Sequence, residues 1–321
     1  MLLINHSKVM CILSVCWGLV ATPVHAKVPQ VATDIPPVHS LVSQVMGELG
    51  TPKLIIPPGT SPHAYAMRPS EARVLQAADV VFWMGQDLTA WFGRAIKALA
   101  ANATTLALSE SKDLIRHPYR TTKNFDTHAH DEHKNEHEHE HEHEQKDDNP
   151  AKIDPHLWLD PDNALIFLDV IATTLARLDA IHADTYLTNA AQAKAALEVL
   201  KLELNTIVQP IRGRPFIVFH DAYHYFEHRF DVEAAGSVSI GDASSPGPAR
   251  IAAIRGKVQT LGATCVFSEP QFEPKLIATI IENTAARSGT LDPVGATLKP
   301  GPNQYSQLLR HLAHSLLTCL R

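Results

Sequence analysis

Hydrophobic and polar positions along this chain form two kinds of segment. Short apolar runs, typical of strands buried in a sheet, alternate with longer stretches in which apolar residues recur every three or four positions, as on one side of a helix. The predicted strands fall into two sets, at 30–35, 53–56, 80–84 and 105–108, and then at 215–219, 232–239 and 264–267. This alternation predicts two α/β lobes with mainly parallel sheets.

The predicted helices lie between these strands. Apolar residues from Val38 to Leu49 have helical spacing, and further helices are predicted to begin near Ser70, Pro161, Ala222, Ala249, Pro274 and Tyr305. The longest covers 184–208, which contains no Gly or Pro. At 1.5 Å per residue it would be a rigid rod of roughly 37 Å between the lobes. We therefore expect an N-terminal lobe at 27–183, a connecting helix at 184–210 and a C-terminal lobe at 211–321.

The first 26 residues are typical of a signal peptide. Lys8 precedes an apolar stretch at 9–20, and small residues around Ala26 indicate a cleavage position. This stretch is shorter than the about 20 residues that span a bilayer as a helix. We expect a soluble exported protein whose mature chain begins near Lys27. Lipidation at Cys16 is the less favoured alternative, because Cys16 lies inside the apolar stretch and not at its end.

Two cysteines, Cys265 and Cys319, remain after removal of that segment. An isolated pair in an oxidising compartment suggests one disulfide, and two buried free thiols are the alternative. A zinc–thiolate site is disfavoured because the chain has no CxxC pair.

A tract of alternating Glu and His, HDEHKNEHEHEHEHEQKDD at 130–148, interrupts the predicted first lobe. It has too few apolar residues to offset the entropy of ordering, so we expect a disordered loop at about 124–150 without metal. Imidazoles and carboxylates together favour zinc-like ions, which predicts weak capture of several ions; a solvated linker without a metal role is the alternative. The predicted low-affinity ligands are His128, His130, His133, His137, His139, His141 and His143.

Charge is concentrated in this tract. The whole chain has a net charge of −6, and residues 126–148 alone contain ten acidic residues and two lysines. The rest of the chain is therefore nearly neutral, without the basic surface that nucleic acids or anionic membranes require. We expect no nucleic-acid partner.

Three histidines occupy positions at which ligand clefts form in α/β proteins. His63 follows the predicted strand at 53–56, His220 ends the strand at 215–219, and His156 precedes the helix near Pro161. His224 and His228 follow His220 at helical spacing, but HDAYH lacks the glutamate of the HExxH motif, and we expect surface or supporting roles for both. No motif surrounds His39, His117, His182, His311 or His314.

Five motifs occur in a fixed order: PPGTSPH at 57–63 followed by RPS at 68–70, HLWL at 156–159, FHDAY at 219–223, SEPQF at 268–272 and TLDP at 290–293. In these motifs, and in the acidic His-rich insertion before HLWL, the mature chain resembles the zinc-binding periplasmic component of ABC zinc importers, the ZnuA type. The resemblance implies two α/β lobes joined by one long helix, a metal site in the interlobe cleft, and a monomer that delivers Zn²⁺ to an inner-membrane ABC permease. It also implies a disulfide between Cys265 and Cys319.

The resemblance further implies that His63, His156 and His220 bind the metal. Some members have a glutamate directly before the first histidine, where this chain has Pro62, which has no donor side chain. The fourth ligand is therefore open between Asp292, which matches an aspartate of manganese-type relatives, and a water molecule.

Three imidazoles and one oxygen suit tetrahedral Zn²⁺, whereas manganese sites contain more carboxylates. Zinc is the predicted cargo, and a manganese-type binding protein or a metal-linked adhesin is the alternative. A secreted metal-dependent hydrolase is less favoured, because the chain contains neither GxSxG nor HExxH. We expect no enzyme activity.

Overall fold

A computed structural model describes residues 27–120, 152–239, 247–262, 265–271 and 274–321. The predicted signal peptide and the seven histidines of the Glu/His tract lie outside the described residues.

The first lobe is built on a four-stranded sheet in which every pairing is parallel. Its strands lie in the order β2-β1-β3-β4, and they are β1 (Val31–Thr33), β2 (Lys53–Leu54), β3 (Val80–Trp83) and β4 (Thr104–Ala107). The helices that follow the first three strands are α1 (Pro36–Met46), α2 (Pro69–Gln76) and α3 (Ala90–Leu99).

Two long helices connect this lobe to the next, α4 (Pro161–Leu178) and α5 (Ala183–Val208). The second lobe repeats the all-parallel arrangement, with strand order β6-β5-β7-β8. Its elements are β5 (Phe216–Val218), α6 (His224–Phe230), β6 (Gly236–Ser237), α7 (Pro248–Leu261), β7 (Cys265–Ser268), α8 (Pro274–Ile281), β8 (Arg287–Thr290) and α9 (Gln304–Leu320). The prediction of two parallel-sheet α/β lobes with one long helix is confirmed.

The two faces of each sheet belong to different cores, because successive strand residues point to opposite faces. In β3, Val80 and Phe82 join the large core that runs through both lobes, whereas Val81 and Trp83 pack against the outer helices α2 and α3. In the second lobe, Ile217 faces the corresponding outer core with α7 and α8.

The long helix α5 belongs to the shared core. Its buried residues recur at spacings of three, four or seven positions from Tyr186 to Val208, as on one side of a helix, and it packs against α1, α4 and α9. Because helices of both lobes contact it, α5 fastens the lobes to one another over a broad surface.

The structure differs from the predicted elements at three places. The strand predicted at 232–239 is shorter, Gly236–Ser237, although Val238 N and Ser239 N still donate to carbonyls of Val218 and Phe219. β8 is absent from the predicted strands because its sequence, RSGT, is polar and largely exposed. α3 is also absent from the predicted helices.

Cys265 of β7 is bonded to Cys319 of α9, across a sequence separation of 54 residues. The predicted disulfide is confirmed. Among the described residues, no helix combines the length and the apolar character needed to cross a membrane.

Candidate metal centre

Three imidazoles come together between the two sheets. His63 lies in the loop after β2, His156 lies just before α4, and His220 lies two residues after β5. His63 and His220 follow strands of their own sheets, in the loops where ligand clefts form in parallel α/β sheets, and His156 precedes a helix. The fold therefore brings together three histidines of which the first and the last, His63 and His220, are 157 positions apart in the sequence.

The geometry of this group suits one metal ion. Each histidine offers a nitrogen, and the three nitrogens all lie within 4.8 Å of one another. The ring centroids of His156 and His220 are 5.5 Å apart, and His63 lies 5.6 Å from the first and 6.3 Å from the second. His156 and His220 are buried, whereas His63 is partly exposed, so the group is reached from the His63 side.

Buried carboxylates orient two of the rings. His156 Nδ1 donates to Asp154 Oδ1 at 2.6 Å, and His220 Nδ1 donates to Glu269 Oε1 at 2.6 Å. When the proton is held on Nδ1, the lone pair of Nε2 is available. This neutral tautomer is the one that binds a metal through Nε2. Burial raises the pKa of Asp154 to about 6, which leaves it ionised at neutral pH.

The loop that carries His63 is held by two hydrogen bonds at the peptide bond that precedes the histidine. Its backbone N donates to Ser61 Oγ at 3.3 Å, and Trp91 Nε1 of α3 donates to the carbonyl of Pro62 at 2.9 Å. Pro62 thus contributes a backbone acceptor to this loop.

Asp292 is not one of the side chains whose donor atoms all converge within 4.8 Å. Its carboxylate acts electrostatically on Tyr223, whose ring centroid lies 6.4 Å from that of His220. Asp292 Oδ1 accepts from the backbone N of Val294 and Gly295, at 3.2 and 2.8 Å. Its Oδ2 is buried and has no hydrogen-bond partner in the described part of the chain. Burial raises the pKa of this carboxyl.

A charged cluster links the lobes beside the site. Arg120 of the first lobe donates to Asp221, the neighbour of His220, through Nε at 3.0 and 2.9 Å. Its Nη1 also donates to Glu227 of α6 at 2.7 Å. No sequence pattern marked Arg120, because its partners are more than a hundred residues away.

The other histidines next to His220 do not join the three. His224 and His228 lie in α6, and both rings contact His117 of the first lobe. No sequence motif around His117 predicts this contact.

The model of the family ZnuA, zinc-uptake complex component A, periplasmic, matches residues 31–319 of this chain. The chain belongs to this family. The high-affinity zinc uptake system protein ZnuA of Brucella abortus (strain 2308) is 44% identical over 304 residues, which cover 90% of this chain and 91% of that protein. The protein of the same name from Paracoccus denitrificans (strain Pd 1222) is 43% identical over 316 residues, 96% of this chain and 97% of that protein.

The fold agrees with membership of the ZnuA family. A crystal structure of ZnuA has a TM-score of 0.74, covers 91% of this chain and 99% of that chain, and is 24% identical in sequence. At this identity the likeness shows the shared fold, and the family assignment depends on the family model and the closely similar relatives.

Proposed function

We propose that this chain is the periplasmic zinc-binding subunit of an ABC zinc importer, which captures Zn²⁺ between its lobes and delivers it to an inner-membrane permease. The observation that carries the proposal is the convergence of three imidazole nitrogens within 4.8 Å. Two of these rings are oriented by buried carboxylates, in a chain of the ZnuA family. Residues 1–26 act as a cleaved signal peptide, and the mature chain acts as a monomer.

His63, His156 and His220 are the proposed ligands, with Zn²⁺ as the cargo. Asp292 supplies the fourth donor through Oδ2, or a water molecule occupies that position. The buried Oδ2 without a protein partner supports Asp292, because a buried carboxylate oxygen is costly unless it is paired or binds a cation. Three nitrogens and one oxygen favour Zn²⁺ over Mn²⁺.

The placement of the proposed ligands on both lobes provides a way to release the bound zinc ion. His63 and His156 belong to segments of the first lobe and His220 to the second, so the bound ion is held only while the two sets of loops stay together. Contact with the permease that separates these loops removes one ligand and weakens binding. Protonation has the same effect, because imidazole binds a metal only when it is neutral.

The Glu/His tract acts as a low-affinity zinc collector in this proposal. The described residues on its two sides meet: Tyr119 N donates to the carbonyl of Lys152 at 2.9 Å. Asp154, which orients His156, lies two residues beyond Lys152. Ions collected by the tract are therefore released close to the cleft.

Calorimetric zinc titration of the mature chain from Lys27 tests this proposal. Four chains are compared: intact, lacking residues 124–149, carrying His63→Ala, and carrying both changes. We expect one tight event that His63→Ala removes and weaker events that the deletion removes. A parallel titration with Mn²⁺ should give weaker binding at the tight site.

A tight event that survives His63→Ala but disappears with the deletion would place the principal site in the tract and overturn the cleft assignment. Tighter binding of Mn²⁺ than of Zn²⁺ would instead favour a manganese-type protein. Asp292→Asn, titrated alongside, should weaken the tight event if Asp292 is the fourth ligand and leave it unchanged if water is.

A further inference from the structure

Tyr223 lies where the loops after three neighbouring strands of the second sheet meet. His220 follows β5, Glu269 follows β7 and Asp292 follows β8, and these three strands are consecutive in the sheet. The loops that leave the carboxyl ends of parallel strands form the ligand side of an α/β sheet. The ring centroid of Tyr223 is 6.4 Å from that of His220, and the carboxylates of Glu269 and Asp292 both act electrostatically on its hydroxyl. Tyr223 therefore belongs to the second-lobe side of the candidate metal centre.

The hydroxyl of Tyr223 is buried without a protein partner. The residue is 3% exposed, and its hydroxyl oxygen makes no hydrogen bond of normal length to any residue that the structure describes. Packing in the shared core explains the ring, which a phenylalanine would supply equally well. A buried hydroxyl that has given up its hydrogen bonds to water and gained none in return destabilises the fold. The metal-free fold thus gives no reason for the hydroxyl.

The acceptors around this hydroxyl are occupied, with one exception. Glu269 Oε1 accepts from His220 Nδ1 at 2.6 Å, and Glu269 Oε2 accepts from Gln271 Nε2 at 3.2 Å. Oδ1 of Asp292 accepts from two backbone N–H groups. Oδ2 of Asp292 is buried and has no partner among the described residues. A donor and an acceptor that both lack a protein partner thus occur on the same side of the sheet.

The chemistry of the phenol suits a donor and not a metal ligand. Burial raises the pKa of Tyr223 well above its usual value, and the carboxylates of Glu269 and Asp292 raise it further. The hydroxyl therefore keeps its proton at neutral pH and can donate it to an oxygen. Zn²⁺ in proteins is bound by thiolate, imidazole and carboxylate, so a neutral phenol beside three imidazoles is better placed to support a ligand than to be one.

We propose that Tyr223 is a positioning residue of the metal centre, whose hydroxyl donates a hydrogen bond to the oxygen in the fourth coordination position of zinc. The inference rests on the proposed function, because it requires an ion held by the three histidines. If Asp292 supplies that oxygen, it does so through Oδ2 alone, because backbone donors occupy Oδ1. A water in that position accepts from the same hydroxyl. A single oriented oxygen completes a four-coordinate site, the geometry of Zn²⁺, whereas Mn²⁺ favours octahedral oxygen ligands.

The hydroxyl then has opposite effects on the metal-free and the zinc-bound protein. Without metal, Tyr223→Phe removes only a buried group that lacks a protein partner, so the stability should be unchanged or higher. With zinc, the same change removes a hydrogen bond to a ligand, so zinc affinity should fall by about 10- to 100-fold. A hydroxyl with a purely structural role would instead stabilise the metal-free protein.

Tyr223→Phe in the full mature chain tests the proposal through three measurements. Competition against a chromogenic chelator gives the zinc affinity, denaturant unfolding gives the metal-free stability, and the visible spectrum with Co²⁺ in place of zinc reports the coordination geometry. Tyr186→Phe is the matched control, because this fully buried tyrosine of α5 donates to Asp179 at 3.0 Å. We expect lower zinc affinity and an altered Co²⁺ spectrum only in Tyr223→Phe, and lower metal-free stability only in Tyr186→Phe.

The results separate this inference from the proposed function. Zinc affinity that is equal in the two variants overturns the role of Tyr223, and so does a loss of affinity in Tyr223→Phe that accompanies a destabilised metal-free protein. If the wild type lacks a tight zinc site that His63→Ala removes, the proposed function itself fails, and this inference fails with it.

A double-mutant cycle with Asp292→Asn identifies the oxygen that accepts from Tyr223. If the hydroxyl acts through Asp292, Tyr223→Phe should have no further effect on zinc affinity in the Asp292→Asn background. If it acts through a water molecule, the 10- to 100-fold loss should persist in that background.

Discussion

The carboxylates that accept from the rings of His156 and His220 determine how well the proposed site is prepared for zinc. Glu269 is buried, and its Oε1 accepts from His220 Nδ1 at 2.6 Å. Partners of this kind fix the tautomer and the direction of the ring, so their loss lowers metal affinity without removing a ligand.

Glu269→Gln should therefore lower zinc affinity by about 10- to 100-fold. The amide has the shape of the carboxyl group but no charge to stabilise the proton on His220 Nδ1. Competition against a chromogenic zinc chelator measures the effect. Glu233→Gln, at an exposed position of the same lobe, is the control. An affinity for zinc that is equal in Glu269→Gln and in the control would contradict the role of Glu269.

Asp34 is a further buried carboxylate, and it lies directly after β1. Its oxygens accept from the backbone N of Ile35 and Met84, at 2.8 and 2.7 Å. Burial raises its pKa from 3.8 to about 7 despite these hydrogen bonds. Between about pH 4 and pH 7 the folded chain thus holds a proton that the unfolded chain has released. Its contribution to stability is complete below pH 4 and is lost as the pH rises through 7.

Asp34→Asn removes this titration, so the stability of the metal-free wild type relative to the variant should fall by about 2 to 3 kcal/mol between pH 5 and pH 8. Urea unfolding at the two pH values in the presence of a chelator measures the difference. Asp79→Asn, at a half-exposed carboxylate of the same lobe, should show no such change. A difference between wild type and Asp34→Asn that is independent of pH would contradict the raised pKa.

Some residues of the candidate site could be predicted from the sequence, and others could not. The three converging histidines were predictable, because each lies in a motif that resembles a known family and at the end of a predicted strand or helix. Asp154, Glu269 and Arg120 were not assigned roles, because their functions depend on contacts between segments that are distant in sequence or on hydrogen bonds that no pattern records.

Among the elements, the disulfide joins β7 to α9 and thereby fastens the last helix to the second sheet. A crosslink between residues 54 positions apart lowers the entropy of the unfolded chain. Replacing both cysteines by alanine should therefore reduce the free energy of unfolding by about 4 kcal/mol in the chain-entropy model.

Denaturant unfolding of the Cys265→Ala/Cys319→Ala variant measures this loss, with reduced wild-type protein as the matched comparison. The two should unfold at similar denaturant concentrations, both below the oxidised wild type. Equal stability of the oxidised wild type and the double variant would show that the crosslink adds nothing to the fold.

Helices and strands were predictable where the pattern or type of their side chains indicates a helix or a buried strand. Helix α5 was predicted at 184–208 and observed at Ala183–Val208, because an uninterrupted run of helix-forming residues leaves no other boundary. Strand β8 could not be found in this way, since its parallel ladder with β7 depends on backbone hydrogen bonds and its side chains are largely exposed.

At the scale of the whole molecule, Arg120 joins the lobes through two buried carboxylates. Asp221 and Glu227 have side-chain exposures of 7% and 2%. Arg120→Met would leave both charges buried without their partner, a change that costs about 3–5 kcal/mol of folding free energy.

Thermal unfolding of the metal-free Arg120→Met variant measures this cost. Arg94→Met, at an exposed position of α3, is the control and should leave the melting temperature unchanged. If Arg120→Met also melts like the wild type, the cluster does not hold the lobes together.

The two sheets have the same strand order: in each lobe the second strand is followed by the first, the third and the fourth. Duplication and fusion of a gene that encoded one lobe would produce this arrangement. The proposed metal ligands do not follow the repeat, because His63 comes after the second strand of its lobe and His220 after the first strand of its own. In such a history, duplication produced two sheets of the same topology, and later divergence of their loops produced a single asymmetric site between them.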